Sequence, residues 1–131
     1  MTSAGEVLIC DSEALVDGGA GVRFPVTVFG EAASGFAIRY QGKAYAYLNR
    51  CAHVPIELDW VQGQFFESSG DFLMCATHGA VYRPDTGTCA GGPCRGGKLR
   101  PIGLREAEGK VYWQPDERVT AAGEPAVKRA D

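Results

Sequence analysis

The sequence predicts an all-β domain, and three observations carry that expectation. Apolar and polar residues alternate with a period of two over 22–28 and again over 36–40. Turn-forming residues separate the apolar runs. No stretch of twelve residues carries a helical period. In chain order, an opening strand is expected at Val7-Leu8-Ile9. Val22–Val28 then alternates as a half-buried strand should. Phe36–Tyr40 repeats the pattern, and Gln41-Gly42 supplies a tight turn into Ala44–Leu48, which makes a hairpin. Shorter strands are expected at Phe72–Met74 and Ala80–Tyr82, with a turn signal at Pro84–Gly87. Leu99–Leu104 and Lys110–Trp113 close the sheet around a turn at Glu108-Gly109. The folded domain is therefore expected over 1–113, and 114–131 reads as a polar, flexible tail.

Composition narrows the function classes. A chain of 131 residues makes one domain with a core of its own. Its 45% hydrophobic and 22% charged residues are ordinary for a soluble globular protein. A net charge of −3 argues against nucleic acid as the main partner. No apolar run approaches the roughly 20 residues of a membrane span. Met1–Glu6 lacks the basic start and apolar core of a secretory signal, so a cytoplasmic protein is expected.

The chemistry concentrates in four residues. The chain has two histidines, and each sits at metal-ligand spacing from a cysteine: Cys51-Ala52-His53 and Cys75-Ala76-Thr77-His78. Both runs begin where an expected strand gives way to a loop, so two adjacent strand ends can bring them to one tip. A single cysteine is usually a small buried hydrophobe, but here the coincidence is double. Two thiolates on one iron and two imidazoles on the other is the ligand pattern of a Rieske [2Fe-2S] centre. With two ferric irons and two sulfides, that set leaves the oxidised centre formally neutral. Four thiolates would leave it dianionic, so histidine ligation makes an added electron less costly. A mononuclear zinc site is the rival, since Cys₂His₂ is a common zinc set. Zinc motifs usually pair like ligands, and the mixed pairing here favours the iron cluster. Gly79, beside the second pair, would let backbone N–H groups approach the inorganic sulfides.

These runs, followed by Gly79-Ala80, Val81-Tyr82 and Asp85-Thr86-Gly87, resemble a Rieske domain of the ferredoxin or oxygenase-component type. Gly91-Gly92-Pro93 resembles the proline-bearing loop that covers the cluster in that family, and the resemblance spans about residues 6–113. It implies a Rieske fold: an antiparallel, sandwich-like β base with a smaller inserted cluster-binding subdomain, here about 49–84. It implies one [2Fe-2S] cluster, with Cys51 and Cys75 on one iron and His53 and His78 on the other, the histidines at an exposed tip. High-potential members bridge their two ligand loops with a disulfide. The matching positions here are Ile56 and Thr77. Those members also place a serine where this chain has Ala80, although Tyr82 can still donate to a cysteine sulfur. Both departures point to the low-potential class.

The resemblance implies an electron carrier, passing single electrons between a reductase and a terminal oxygenase or reductase. A redox-sensing module, or a small subunit of a larger complex such as nitrite reductase, are the alternatives. No substrate site of its own is expected. With no third histidine, the chain cannot build a 2-His-1-carboxylate iron site.

Several features lie beside this reading. Between His53 and Cys75 lie 21 residues, more than is usual in the family. Their Trp60, Phe65 and Phe66 are expected to pack beneath the ligand loops. Segment 51–88 carries Glu57, Asp59, Glu67, Asp71 and Asp85 against Arg83 alone. It reads as a solvated loop surface, with an acidic docking face for a basic redox partner as the functional alternative. Cys89 and Cys94 frame Ala90–Pro93. They are read first as thiols packed beside the covering loop, with a disulfide or a thiol redox role as alternatives. Cys10 is expected to be a buried strand residue.

Overall fold

The computed structural model describes residues 6–51, 57–59, 63–67, 69–75, 79–94, 96–115 and 119–121. Its strands are β1 (Val7–Asp11), β2 (Val22–Val28), β3 (Glu31–Tyr40), β4 (Lys43–Leu48), β5 (Leu73–Met74), β6 (Val81–Tyr82), β7 (Cys89–Gly91), β8 (Gly103–Ala107), β9 (Lys110–Gln114) and β10 (Val119–Ala121). A single 3-10 turn, Ser12–Ala14, follows β1, and no α-helix occurs among the described residues. The strands form three antiparallel sheets, ordered β10-β2-β3-β4, β1-β9-β8 and β5-β6-β7.

The first sheet is a wall with a core on each side. Side chains alternate across a strand, and β3 and β4 use both directions. Phe36 and Ile38 of β3 and Tyr47 of β4 enter a core shared with Leu58, Phe65, Leu73 and both candidate cysteines. Ala37 of β3 and Ala46 and Leu48 of β4 enter the other core, with Phe24, Val26, Val111 and Trp113. Register makes this consistent, because Phe36 opposes Tyr47 and Ala37 opposes Ala46. We call the two sides the ligand core and the base core.

Two-residue turns set the hairpin registers. Gln41-Gly42 joins β3 to β4 with both residues at positive φ, +52° and +83°, as a type I′ turn requires. Phe29-Gly30 does the same between β2 and β3. Here the structure extends the sequence reading, in which the second strand begins at Phe36 rather than Glu31. A phenylalanine is an unusual occupant of a left-handed turn position, so nothing marks this hairpin in advance.

Other elements differ from expectation for definite reasons. Leu99–Leu104 is not one strand. Leu48 N–H donates to Arg100 O at 2.9 Å and Ile102 N–H donates to Ala46 O at 2.9 Å. Segment 99–102 thus runs along β4, with Leu99 in the ligand core and Ile102 in the base core, and the regular strand starts at Gly103. A further strand lies inside the stretch 114–131 read as tail: Val119 opposes Val28, and its side chain is buried in the base core. Cys10 lies in β1, as expected, but is only partly buried; burial still pushes its thiol pKa up.

Arg39 fastens the 3-10 turn to both sheets. Its Nε donates to Leu15 O at 2.8 Å, and its guanidinium pairs with Glu106 at 2.7 Å. That guanidinium is the main reason the Glu106 carboxyl is held below its ordinary pKa.

Candidate metal centre

Each candidate cysteine sits at the mouth of a loop whose base is closed by hydrogen bonds. The first loop leaves β4 at Leu48. Asn49, 4% exposed, is fixed by its own N–H donating to Ser34 O at 2.8 Å. Its side chain reaches across the loop: Oδ1 accepts Leu58 N–H at 2.8 Å, and Nδ2 donates to Asp59 Oδ1 at 3.0 Å. Asp59 Oδ2 in turn accepts Gly63 N–H at 3.0 Å, with Arg23 Nε at 3.9 Å. Two buried polar side chains are thereby satisfied, which an apolar core demands, and the chain from Cys51 is forced to return at Leu58. Sequence reasoning missed this clamp; the only signal was an asparagine directly after an apolar strand.

The second loop leaves β5 at Met74. Cys75 N–H donates to Ala80 O at 2.8 Å, and Gly79 N–H donates to Cys75 O at 3.0 Å. Gly79 also has a role within the loop. Its N–H is bonded within the loop, and among the described residues a side chain there would meet nothing within 4 Å. The glycine serves the backbone, which takes φ +75° at that point. His53 and His78 lie outside the described residues, as do Ile56, Trp60 and Thr77.

Both sulfurs converge on one core. Cys51 is 3% exposed and Cys75 0%, and they share the ligand core with Leu58, Ala80 and Tyr82. The Tyr82 hydroxyl lies 3.1 Å from Cys51 Sγ. When that sulfur is a ligating thiolate it has no proton, so the phenol is the donor. A hydrogen bond to a ligand sulfur stabilises negative charge there and thereby favours the reduced state. Tyr47 is the second phenol on this side. It donates to Pro84 O at 2.8 Å, and burial pushes its pKa up, which keeps it neutral.

Of the aromatic residues in the interval between the loops, Phe65 and Phe66 pack into or against the ligand core, as expected. Phe65 is fully buried and stacks on Phe36 with centroids 3.9 Å apart, and Phe66 lies against Tyr40. Several acids of segment 51–88 have partners within the domain. Glu57 accepts from Arg23 at 2.6 Å and from Ser34 Oγ at 2.8 Å, Asp59 is buried in the clamp, and Asp85 pairs with Arg83. Glu67 caps its own turn through Ser69 and Asp71. Part of the segment's charge is thus balanced within the domain, by Arg23 and Arg83.

The covering loop lies directly on the second ligand loop. A Cβ at Gly92 would stand 2.9 Å from Gly79 O and 3.0 Å from Ala80 Cα, so only glycine fits there. Its ends are joined by a disulfide between Cys89 and Cys94. The first reading of these cysteines, as separate thiols, is corrected in favour of the disulfide alternative. Spacing alone did not decide between them; in the folded chain the two Cα atoms lie 5.6 Å apart.

A family model described as the Rieske [2Fe-2S] domain matches residues 5–121. The chain belongs to the Rieske family. A Rieske domain carries a [2Fe-2S] cluster held by cysteine and histidine. The donors described here fit one: two buried sulfurs in a single apolar core, one of them facing a phenol, give soft ligands in a setting that excludes water.

Solved structures share the fold. The ferredoxin of carbazole 1,9a-dioxygenase from Nocardioides aromaticivorans IC177 is 20% identical with a TM-score of 0.67, over 86% of this chain and all of that one. A chain from a complex of reduced oxygenase and oxidized ferredoxin in carbazole 1,9a-dioxygenase is 24% identical with a TM-score of 0.65, over 86% of this chain and 94% of that one. The terminal oxygenase from the same Nocardioides strain is 16% identical with a TM-score of 0.63, and the match covers 32% of it. No curated protein matches the chain.

Proposed function

We propose that this Rieske protein is a one-electron carrier. Cys51 and Cys75 hold one iron of the cluster and His53 and His78 the other. The chain takes single electrons from a reductase and passes them to a terminal oxygenase or reductase. The bound cluster supplies the one-electron chemistry. The protein's own residues do the rest. The Asn49–Asp59 clamp and the Cys75–Ala80 turn position the two sulfurs, the ligand core keeps water from them, and Tyr82 donates to Cys51 Sγ.

The observation that carries the reading is the convergence of two buried cysteines, from two separately closed loops, on one core beside Tyr82. The likeness in fold to an oxygenase ferredoxin over that protein's full length supports the carrier reading. The test is stopped-flow electron exchange with the anaerobically prepared holo-protein. Reduction by a flavin reductase, followed by re-oxidation on mixing with a terminal oxygenase from the same cells, is expected. A reduced protein that no such acceptor re-oxidises contradicts the carrier role.

A further inference from the structure

We propose that Cys89–Cys94 is a second redox site, a disulfide that exchanges with a dithiol and thereby controls the cover of the metal centre. The site is built asymmetrically. Cys89 is partly buried and lines a depression of about 310 Å³ whose other walls are Ala90, Gly91, Gly92 and Gly96. Among the described residues, no bulky side chain lines that depression. Cys94 is 2% exposed and packs in the ligand core with Cys51 and Cys75. An incoming thiolate therefore reaches Cys89 and not Cys94.

The exchange balances as follows. A thiolate of the dithiol attacks Cys89 Sγ, forming one S–S bond while the Cys89–Cys94 bond breaks. Cys94 takes the electron pair and must be protonated, because a bare thiolate in an apolar core is costly. The second S–H of the dithiol is the proton source; its sulfur then attacks the dithiol's own first sulfur and releases Cys89 as a thiolate, which takes from water the proton the attacking thiol gave up on ionising. Two electrons and two protons pass to the loop, and the dithiol leaves as a disulfide. A monothiol supplies neither that proton nor the internal second attack, which is why the geometry selects a dithiol. The reduced state is also accommodated: Cys94 Sγ lies 3.2 Å from Gly91 O and 3.4 Å from Val81 O, acceptors for the new thiol proton.

The consequence for the centre follows from register. Cys89 is the strand partner of Tyr82, whose hydroxyl lies on Cys51 Sγ, and Gly92 packs on Gly79 and Ala80. The disulfide meets β6 at two points, through Cys89 opposite Tyr82 and through Cys94 Sγ, 3.4 Å from Val81 O. Cutting it frees a glycine-rich loop from the second ligand loop and slackens the strand that holds Tyr82. This half of the inference rests on the ligand assignment proposed above.

The test uses anaerobic holo-protein whose Rieske resonance spectrum is recorded first. Absence of that spectrum overturns the ligand assignment, whereas the following arms address the disulfide alone. Dithiothreitol is added, then an alkylating reagent, and labelled cysteines are located by peptide mass. Labelling of Cys89 and Cys94 in the folded protein is expected, at a rate about tenfold above that with glutathione at equal thiol concentration. Cluster loss, followed by visible absorbance, is expected to speed up about tenfold, the scale of losing a group that orients metal ligands. The reduction potential is expected to fall. The Cys89→Ser/Cys94→Ser double variant should show the fast loss without dithiol and no further response to it, which separates loop opening from direct attack on the cluster. Labelling that requires denaturant overturns the proposal. So does a reduced loop with unchanged potential and cluster lifetime, and the wild-type titration decides this even if the double variant does not fold.

Discussion

Phe36 and Ala37 are neighbours in β3, yet they face different chemistry. Ala37 enters the base core, in which Phe24 packs against Trp113, centroids 5.2 Å apart. Phe36 enters the ligand core, which mixes apolar packing with cysteine sulfurs, a disulfide and two phenols bonded to named acceptors. Buried Asn49 and Asp59 close its edge. One sheet thus separates the base core from the side that holds both candidate cysteines. The division is possible because period-two alternation gives one strand two independent faces. It also makes a double dissociation testable.

The largest effect is expected on the base side. Trp113→Ala removes a fully buried ring and should cost about 3–5 kcal/mol in denaturant unfolding. Its folded fraction should keep the wild-type reduction potential. A shifted potential in that variant would break the separation of the two sides.

Next comes the clamp. Asn49→Ala leaves Leu58 N–H and Asp59 short of partners in a buried setting, at about 1–3 kcal/mol. Because the clamp closes the loop bearing Cys51, the variant should also lose its cluster faster than a base-side variant of equal stability. Equal lifetimes would mean that the clamp is only a packing feature.

Tyr82→Phe sharpens the comparison from the ligand side. It deletes one hydroxyl at near-constant volume, so stability should change by only about 1 kcal/mol. The potential should drop, because Cys51 Sγ loses its donor. Protein-film voltammetry reads this directly, and an unchanged potential would remove Tyr82 from the tuning role.

The smallest effect lies far from the ligands. The Glu106 carboxyl has a lowered pKa in the folded state, chiefly through Arg39. A group depressed on folding contributes stability above its unfolded pKa and loses it as pH falls through the folded one. Glu106→Gln should therefore cost about 0.5 kcal/mol at neutral pH, and the difference from wild type should vanish in acid. A difference that persists below the carboxylate range would assign it to packing.

The sequence exposed what is periodic or chemically rare. Alternation marked β2, β4 and the buried half of β3, and Gln41-Gly42 announced its turn. The two Cys-His runs marked the site because the chain has no other histidines. What escaped depends on contacts between distant residues. β7 is a Cys-Ala-Gly segment with no strand-like pattern, held by its register against β6. β10 exists because Val119 finds a place in the base core opposite Val28. The Asn49–Asp59 bond joins residues ten positions apart, and no local pattern distinguishes a clamp from a loop asparagine. The disulfide was one of several readings of a cysteine pair until the fold closed the distance.

The account stands most directly on the ligand set, and pulsed paramagnetic resonance of the reduced protein tests it. The wild-type cluster should show coupling to two imidazole nitrogens. His53→Ala and His78→Ala should each abolish the Rieske spectrum. A wild-type spectrum without nitrogen coupling, or a histidine variant that retains the full signal, would contradict it.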